Sequence, residues 1–265
     1  MRYVELIEGI AMDKQTTSYD EYVKDEAFLR EYNAYQAKYA TNIRESDKVL
    51  INLVREAFSR HDASKGPFKL LDIGCSTGNL LLHLKNLVPG LELVGGELAE
   101  SSLEVCRSNP SLKGIRFERL DMLDIDYESE FDVIVANAVA VYFYWDEYAK
   151  AARSCNRALK KGGTYLAFEW IHPFRHQDIT ITETTIGHPK GLRICFRPMP
   201  KVASVFEEAG FKQVTFHPFE LPIELPKPGF DEEVVSYTVK SADNRNLCFR
   251  GTLFQPWCHL SAIKV

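Results

Sequence analysis

Apolar runs broken by glycine recur along the middle of the chain, and their period switches in a regular way. Leu70, Leu71 and Ile73 belong to a buried run of strand length, and NLLLHLKNL (79–87) repeats its apolar positions at helical spacing. Gly74 and Gly78 flank the three-residue turn between them. A second strand is predicted over Leu91–Gly95, closed by Glu97, and a helix follows through SSLEVC. GIRFERL reads as a third strand ahead of Asp121-Met122, and the fully apolar Phe131–Ala136 as a fourth, ending at Asn137. DEYAKAARSCNRAL predicts a helix that stops at Lys-Lys-Gly-Gly. A fifth strand, Thr164–Trp170, then runs into Ile171-His172-Pro173. Strands alternating with helices predict an α/β fold with a mostly parallel, Rossmann-like sheet.

The flanks follow different patterns. Upstream, a tyrosine-rich helix carries Tyr32, Tyr35 and Tyr39 on one face, and a second helix, Asn42 to Arg60, has the stripe Val49, Leu50, Leu53, Val54, Ala57 and Phe58. Downstream of residue 175 the pattern is β-rich. It includes a helix stopped by Gly210, a sixth strand, and a proline-rich loop. VVSYTVK, NLCFRG and WCHLSAIKV then read as antiparallel strands expected to extend the sheet. The organisation predicted is one domain over 1–265: a helical cap (1–66), a nucleotide-binding core (67–174) and a substrate-side region (175–265).

Charge decides what the glycine turn holds. The helix after it would aim free N–H groups at a ligand, as phosphate loops do. No lysine follows Gly78, which excludes a Walker A loop, and Gly74 to Gly78 is GxxxG, lacking the third glycine of a dinucleotide fingerprint. Asp72 at the strand end would repel a pyrophosphate but suits a cation. A guest with an adenosine, an ammonium and a sulfonium fits, which describes S-adenosylmethionine. Glu97 stands about twenty residues beyond the turn, where an acid accepts from both ribose hydroxyls; a NAD enzyme would want the same acid.

LLDIGCSTGN (70–79) resembles the first motif of the class I S-adenosylmethionine-dependent methyltransferases, with Ser76 where many members have a middle glycine. The similarity runs from about 68 to 174. It implies a seven-stranded methyltransferase sheet, antiparallel C-terminal strands included, and S-adenosyl-L-methionine as cofactor. It also implies cofactor contacts at Asp72, Gly74, Gly78, Glu97 and Leu98, at Asp121 on the adenine amine with Met122 beside the ring, and around Asn137 at the methionine end. Leading helices in the family cover the cofactor, which makes Tyr39 a candidate for the substrate cavity, together with Tyr142. Asn137-Ala138-Val139-Ala140 lacks the Pro-Pro-aromatic of enzymes that methylate nucleobase or glutamine amides.

His172 is the candidate base, at the carboxyl end of a parallel strand with an unperturbed pKa near 6.5. His176 joins it as a substrate-side candidate. Their spacing is metal-like, but Pro173 breaks the helix that would align them, and no metal is expected.

Composition narrows the partners. A net charge of −5 without a Lys/Arg block argues against nucleic acid or an anionic membrane. Six cysteines without CxxC spacing fit free thiols in a reducing compartment. MRYVELIEGIAMDKQ carries acids within its apolar run, unlike a signal peptide, and no run reaches the ~20 apolar residues that span a bilayer. The expectation is a cytoplasmic methyltransferase acting on an oxygen or nitrogen of a small metabolite. The rivals are methylation of protein or RNA, a cofactor-binding protein without turnover, and, more distantly, a NAD-linked oxidoreductase.

Overall fold

The computed structural model describes residues 23–184, 191–229 and 235–265. The N-terminal run and the start of the tyrosine-rich stretch lie outside them. Seven strands follow one path across the main sheet. These are β1 (Phe68–Ile73), β2 (Leu91–Glu97), β3 (Arg116–Arg119), β4 (Phe131–Asn137), β5 (Leu159–His172), β8 (Phe211–Pro218) and β12 (Trp257–Lys264). Their spatial order is β3-β2-β1-β4-β5-β12-β8. β1 pairs in parallel with β2 and β4, β2 with β3 and β4 with β5. β12 inserts antiparallel between β5 and β8.

Alternation along the strands explains the layers. Leu71 and Ile73 of β1, with Ile134 and Ala136 of β4, face the core beneath the helices α5 (Trp145–Ala158) and α6 (Met199–Glu208). Leu70, Val133 and Val135 face the opposite core, under α2 (Glu45–Ser59) and α3 (Asn79–Leu87). The near-continuous apolar runs of β1 and β4 are what a strand buried on both faces requires. Two more helices, α1 (Glu26–Gln36) and α4 (Glu100–Ser108), are joined over the carboxyl edge by Ser102 Oγ donating to Asn33 Oδ1 at 3.1 Å.

Chain order winds outward from β1 to β3 in one direction and from β4 to β5 in the other. The crevice at the carboxyl ends of β1 and β4 is therefore the switch point where open α/β sheets bind ligands.

Two expectations change. β5 begins at Leu159, so Lys160–Gly163 are strand residues, with Gly162 in a left-handed conformation (φ 79°) at the point where the register with β4 slips. The strands β9 (Ser236–Lys240), β10 (Asn246–Arg250) and β11 (Leu253–Phe254) do not extend the main sheet: they form a separate antiparallel sheet, and only β12 rejoins the core. A hairpin of β6 (Ile179–Glu183) and β7 (Leu192–Pro198) attaches to β5 through Ile171 and His172.

Candidate active site

The glycine turn is built by backbone geometry. Gly74 (φ 74°) leaves β1 in a left-handed conformation, and a Cβ there would stand 2.5 Å from Val139 Cγ2. Gly78 (φ 77°) caps α3 in the same region. Ser76 also has positive φ (49°), a conformation that glycine adopts at no steric cost. The amides of Gly74 and Cys75 both donate to Gly96 O, at 2.7 and 3.0 Å, which welds the turn to β2.

Glu97, the last residue of β2, is pinned by three backbone donors. Leu98 N and Ala99 N reach Oε1 at 2.7 and 3.0 Å, and Ser76 N reaches Oε2 at 3.0 Å. A carboxylate has about four acceptor positions, so an open one remains on Oε2 for a hydroxyl. Asp121 Oδ1 accepts from Leu123 N at 2.8 Å, which fixes the loop after β3, and Met122 is buried beside it.

Beneath the turn the site is acidic. Asp72 is 2% exposed and its Oδ1 has no hydrogen-bond partner. Burial, then the charges of Asp47 and Glu97, push its carboxyl well above the usual range. Asp47 arrives from α2 and accepts from Asn137 Nδ2 at 2.9 Å. Burial raises its carboxyl too, against the opposing pull of Arg44, whose Nη1 is 4.0 Å away, and of Asn137. Arg44 is held over the Tyr39 ring at 3.7 Å and donates to Gln36 Oε1 at 2.7 Å.

A cleft with about 790 Å³ of empty space, solvent at its mouth included, opens above this floor. That is the scale of a pocket for a cofactor-sized ligand, typically ~300–1,000 Å³. Gly74, Glu97, Leu98, Asp121, Met122, Asn137 and Tyr142 all line it. Asp72 and Gly78 support it from behind the wall. Tyr39, His172 and His176 are not among its lining residues.

Tyr39 acts on the site only through Arg44, and its hydroxyl pairs with that of Tyr35 at 2.9 Å. His176 is exposed in a turn. His172 is 3% exposed, with neither ring nitrogen hydrogen-bonded. Burial pushes its imidazole below the ordinary value. The Phe196 backbone and Asp178 favour the charged form but do not offset this.

Some residues of the site escaped sequence reasoning. Leu29 of α1 closes the cleft from above beside Tyr32, which the tyrosine-rich face offers, with Ser102, Val139 and Phe143 at its sides. Asp47 was legible in principle. It falls on the buried stripe of α2 with Leu50, Ile51 and Val54, and an acid on an apolar face signals a partner.

The acidic floor, the pinned Glu97 and the adenine-side pair Asp121-Met122 fit S-adenosylmethionine: a buried carboxylate without a partner is the complement of an ammonium and sulfonium ligand. Residues 70–163 match the family model described as a methyltransferase domain. A demethylmenaquinone methyltransferase of Thermus thermophilus is 32% identical over 113 residues, 41% of this chain and 50% of that protein. A malonyl-[acyl-carrier protein] O-methyltransferase of Bacillus anthracis is 26% identical over 116 residues, 44% of this chain and 42% of that protein. The chain thus spans about half the length of the curated relatives it matches. Among solved structures, the 1,6-didemethyltoxoflavin-N1-methyltransferase of Burkholderia thailandensis, with its substrate and S-adenosylhomocysteine bound, superposes with a TM-score of 0.56. It covers 94% of this chain and 91% of its own at 13% identity, a likeness of fold. Motif, sheet order and family model together support a class I S-adenosylmethionine-dependent methyltransferase domain over residues 70–163.

Proposed function

We propose that the protein transfers a methyl group from S-adenosylmethionine to an oxygen or nitrogen of a small acceptor. The observation that carries this reading is the buried Asp72 beneath a glycine turn, whose Oδ1 has no hydrogen-bond partner among the described residues and whose carboxyl feels the charge of Asp47. The cofactor brings a methyl group already activated on sulfonium. Asp47 and Asp72 supply the negative field that holds its cationic end, and Asn137, fixed by Asp47, lines the same end. Glu97 receives the ribose, and Met122 with Leu98 packs the adenine beside Asp121. Leu29, Tyr32 and Phe143 exclude water, so the chain's main contribution is alignment of the acceptor with the methyl group.

Proton removal is assigned to solvent or to an acceptor that arrives deprotonated, because His172 does not line the cleft and burial, by disfavouring its protonated form, weakens it as a base. A small acceptor is supported by the demethylmenaquinone named for the Thermus thermophilus relative, whereas the malonyl group named for the Bacillus anthracis relative is carried on a protein. The six free, buried thiols support a reducing, cytoplasmic setting. Among the described residues no helix is long and apolar enough to cross a membrane. Calorimetry tests the reading: S-adenosylhomocysteine should bind and NADH should not, and the reverse ranking overturns it.

A further inference from the structure

The two ends of the cleft differ in charge. The acids Asp47, Asp72 and Glu97 gather at one, and Tyr142 and Phe143 stand at the other. One segment, residues 137–143, connects them as it leaves the carboxyl end of β4, and Asn137, Ala138, Val139, Tyr142 and Phe143 all line the cleft. Its start is tied by Asn137 to Asp47 at 2.9 Å and by Ala138 N to Phe168 O at 2.9 Å. Ala138 has a φ of 57°, a strained left-handed conformation for a residue with a Cβ, which persists only where the surroundings impose it.

The far end of the segment is tied from β7, which contributes no lining residue to the cleft. The strand period of two puts Arg193, Cys195 and Arg197 on one face of β7. Arg193 Nε donates to Tyr142 O at 2.7 Å, Cys195 Sγ to Phe143 O at 3.3 Å, and Arg197 Nη2 to the same Phe143 O. The two arginines are 4% and 1% exposed, and each has an acid beside it. Glu147 Oε2 is 2.9 Å from Arg193 Nη2, and Glu169 Oε2 is 3.7 Å from Arg197 Nη1. Arg193 also lies 3.4 Å over the Tyr144 ring and Arg197 4.2 Å over that of Tyr148. A buried ion pair adds little stability that apolar side chains of similar volume would not, so stability alone does not account for two of them. What a guanidinium adds is a planar set of donors aimed at fixed points. Here those points are successive carbonyls of the cleft wall.

We propose that Arg193 and Arg197 are positioning residues of the acceptor end: from β7, outside the cleft, they hold the Tyr142 and Phe143 carbonyls and so fix the phenol and the phenyl ring as a preformed wall for the methyl acceptor. This rests on the methyltransferase reading, which supplies the acceptor. A wall fixed before binding spares the acceptor the cost of ordering it. The cofactor contacts come from β1 and β2 and stand apart from the clamp.

The test uses the full chain labelled with 3-fluorotyrosine and followed by fluorine NMR, free and saturated with S-adenosylhomocysteine, with the Tyr142 signal assigned by Tyr142→Phe. The wild type should show one sharp Tyr142 signal that moves when S-adenosylhomocysteine binds. Arg193→Met should broaden or split that signal, and so should Arg197→Met combined with Glu169→Gln, which removes the buried pair as a unit. Calorimetric affinity for S-adenosylhomocysteine should change by less than about threefold in both variants, because its contacts lie on other strands. The signal of Tyr237, on the separate sheet, should stay as it is. Arg193→Lys keeps the charge beside Glu147 without the planar fork and should broaden the Tyr142 signal less, and it takes over the test if the methionine variants do not fold. A purely structural role would lower the melting temperature and leave the Tyr142 line shape alone. A Tyr142 signal as sharp in the variants as in the wild type therefore overturns the proposal. So does equal broadening of Tyr237, which marks general loosening, or loss of S-adenosylhomocysteine binding in the variants, which would make the arginines part of the cofactor site. Failure of the wild type to bind S-adenosylhomocysteine would instead strike the methyltransferase reading, and the Tyr142 line shape of the free protein would still test the clamp.

Discussion

The two ends of the cleft are built by opposite strategies. The cofactor end is assembled from the carboxyl ends of neighbouring parallel strands, and most of its contacts start from backbone N–H groups: Gly74 and Cys75 to the Gly96 carbonyl, and Ser76, Leu98 and Ala99 to the Glu97 carboxylate, with the Asp47–Asn137 side-chain pair added from 90 residues away. Beyond Tyr142, at the other end, side chains meet across long separations, such as Glu183 with Arg250, 67 residues apart. A site made by backbone geometry tolerates little change in residue type where φ is positive. A site made by long side chains can be retuned one residue at a time.

The sharpest way to break this contrast is at the turn. Gly74→Val puts a branched side chain at φ 74° against Val139, and should abolish binding of S-adenosylhomocysteine by calorimetry, a loss of more than ~100-fold. Retained binding would mean that the turn is softer than its geometry implies.

Glu97→Ala comes next. The sequence alone argues for a ribose contact, but the structure adds three backbone amides that lose their acceptor. Affinity should fall at least ~tenfold and the melting temperature by a few degrees, consistent with ~1–3 kcal/mol. A loss of affinity at constant melting temperature would assign Glu97 to the ligand alone.

That pair of expectations also shows where sequence reading stops. The strands, the turn and the strand-end acids are legible because each depends on a local pattern: an apolar run, a glycine, an acid at a fixed offset. Asp47 depends on α2 crossing to β4, and Arg250 on a second sheet that the alternation of β9 and β10 cannot distinguish from an extension of the first. His172 shows a different limit. Its place at the end of β5 is legible, but β7 pairs with that same end and buries it, and no local pattern announces β7 as a cover.

A pH series separates the two ends without an acceptor. Asp47 and Asp72 both have carboxyls raised by burial, so each holds a proton to higher pH than a free carboxyl does, and a cationic ligand competes with that proton. Affinity for S-adenosylmethionine should rise with pH above the ordinary carboxylate range and then level off. S-adenosylhomocysteine, without the sulfonium, should rise less. Asp47→Asn should flatten both curves. A pH-independent affinity in the wild type would remove the acid pair from the account.

Glu169 gives a second pH signature, away from the cleft. Burial raises its carboxyl to about 7, although Arg197 lies 3.7 Å away and Tyr148 donates to it at 3.3 Å. A raised carboxyl means that the folded state binds the proton more tightly than the unfolded chain. Its stabilising effect is complete below the ordinary carboxylate value and fades as pH rises through 7. Between pH 4.5 and 8 this group alone should cost the wild type up to ~2–3 kcal/mol. Denaturant melts should show that slope, and Glu169→Gln should reduce it. An equal slope in both proteins would place the titration elsewhere.

The smallest effect expected is at His172, where position and burial give opposite readings. A base in the cleft must exchange protons near neutral pH and feel the cofactor arrive. The imidazole seen here is 3% exposed, without a hydrogen bond at either nitrogen, and burial favours its neutral form. In a histidine-labelled NMR titration its resonance should therefore titrate below the ordinary value of 6.5, and His172→Gln should identify it by its disappearance. His259, pushed down to about 4 by burial, supplies the internal comparison for a buried ring far from any base role. Saturation with S-adenosylhomocysteine should move the His172 signal little, because the cleft wall does not include it, and methyl transfer to any acceptor found should change by less than ~threefold in the variant. A His172 signal that titrates near neutrality and shifts on cofactor binding, with turnover lost in the variant, would return the base to the end of β5.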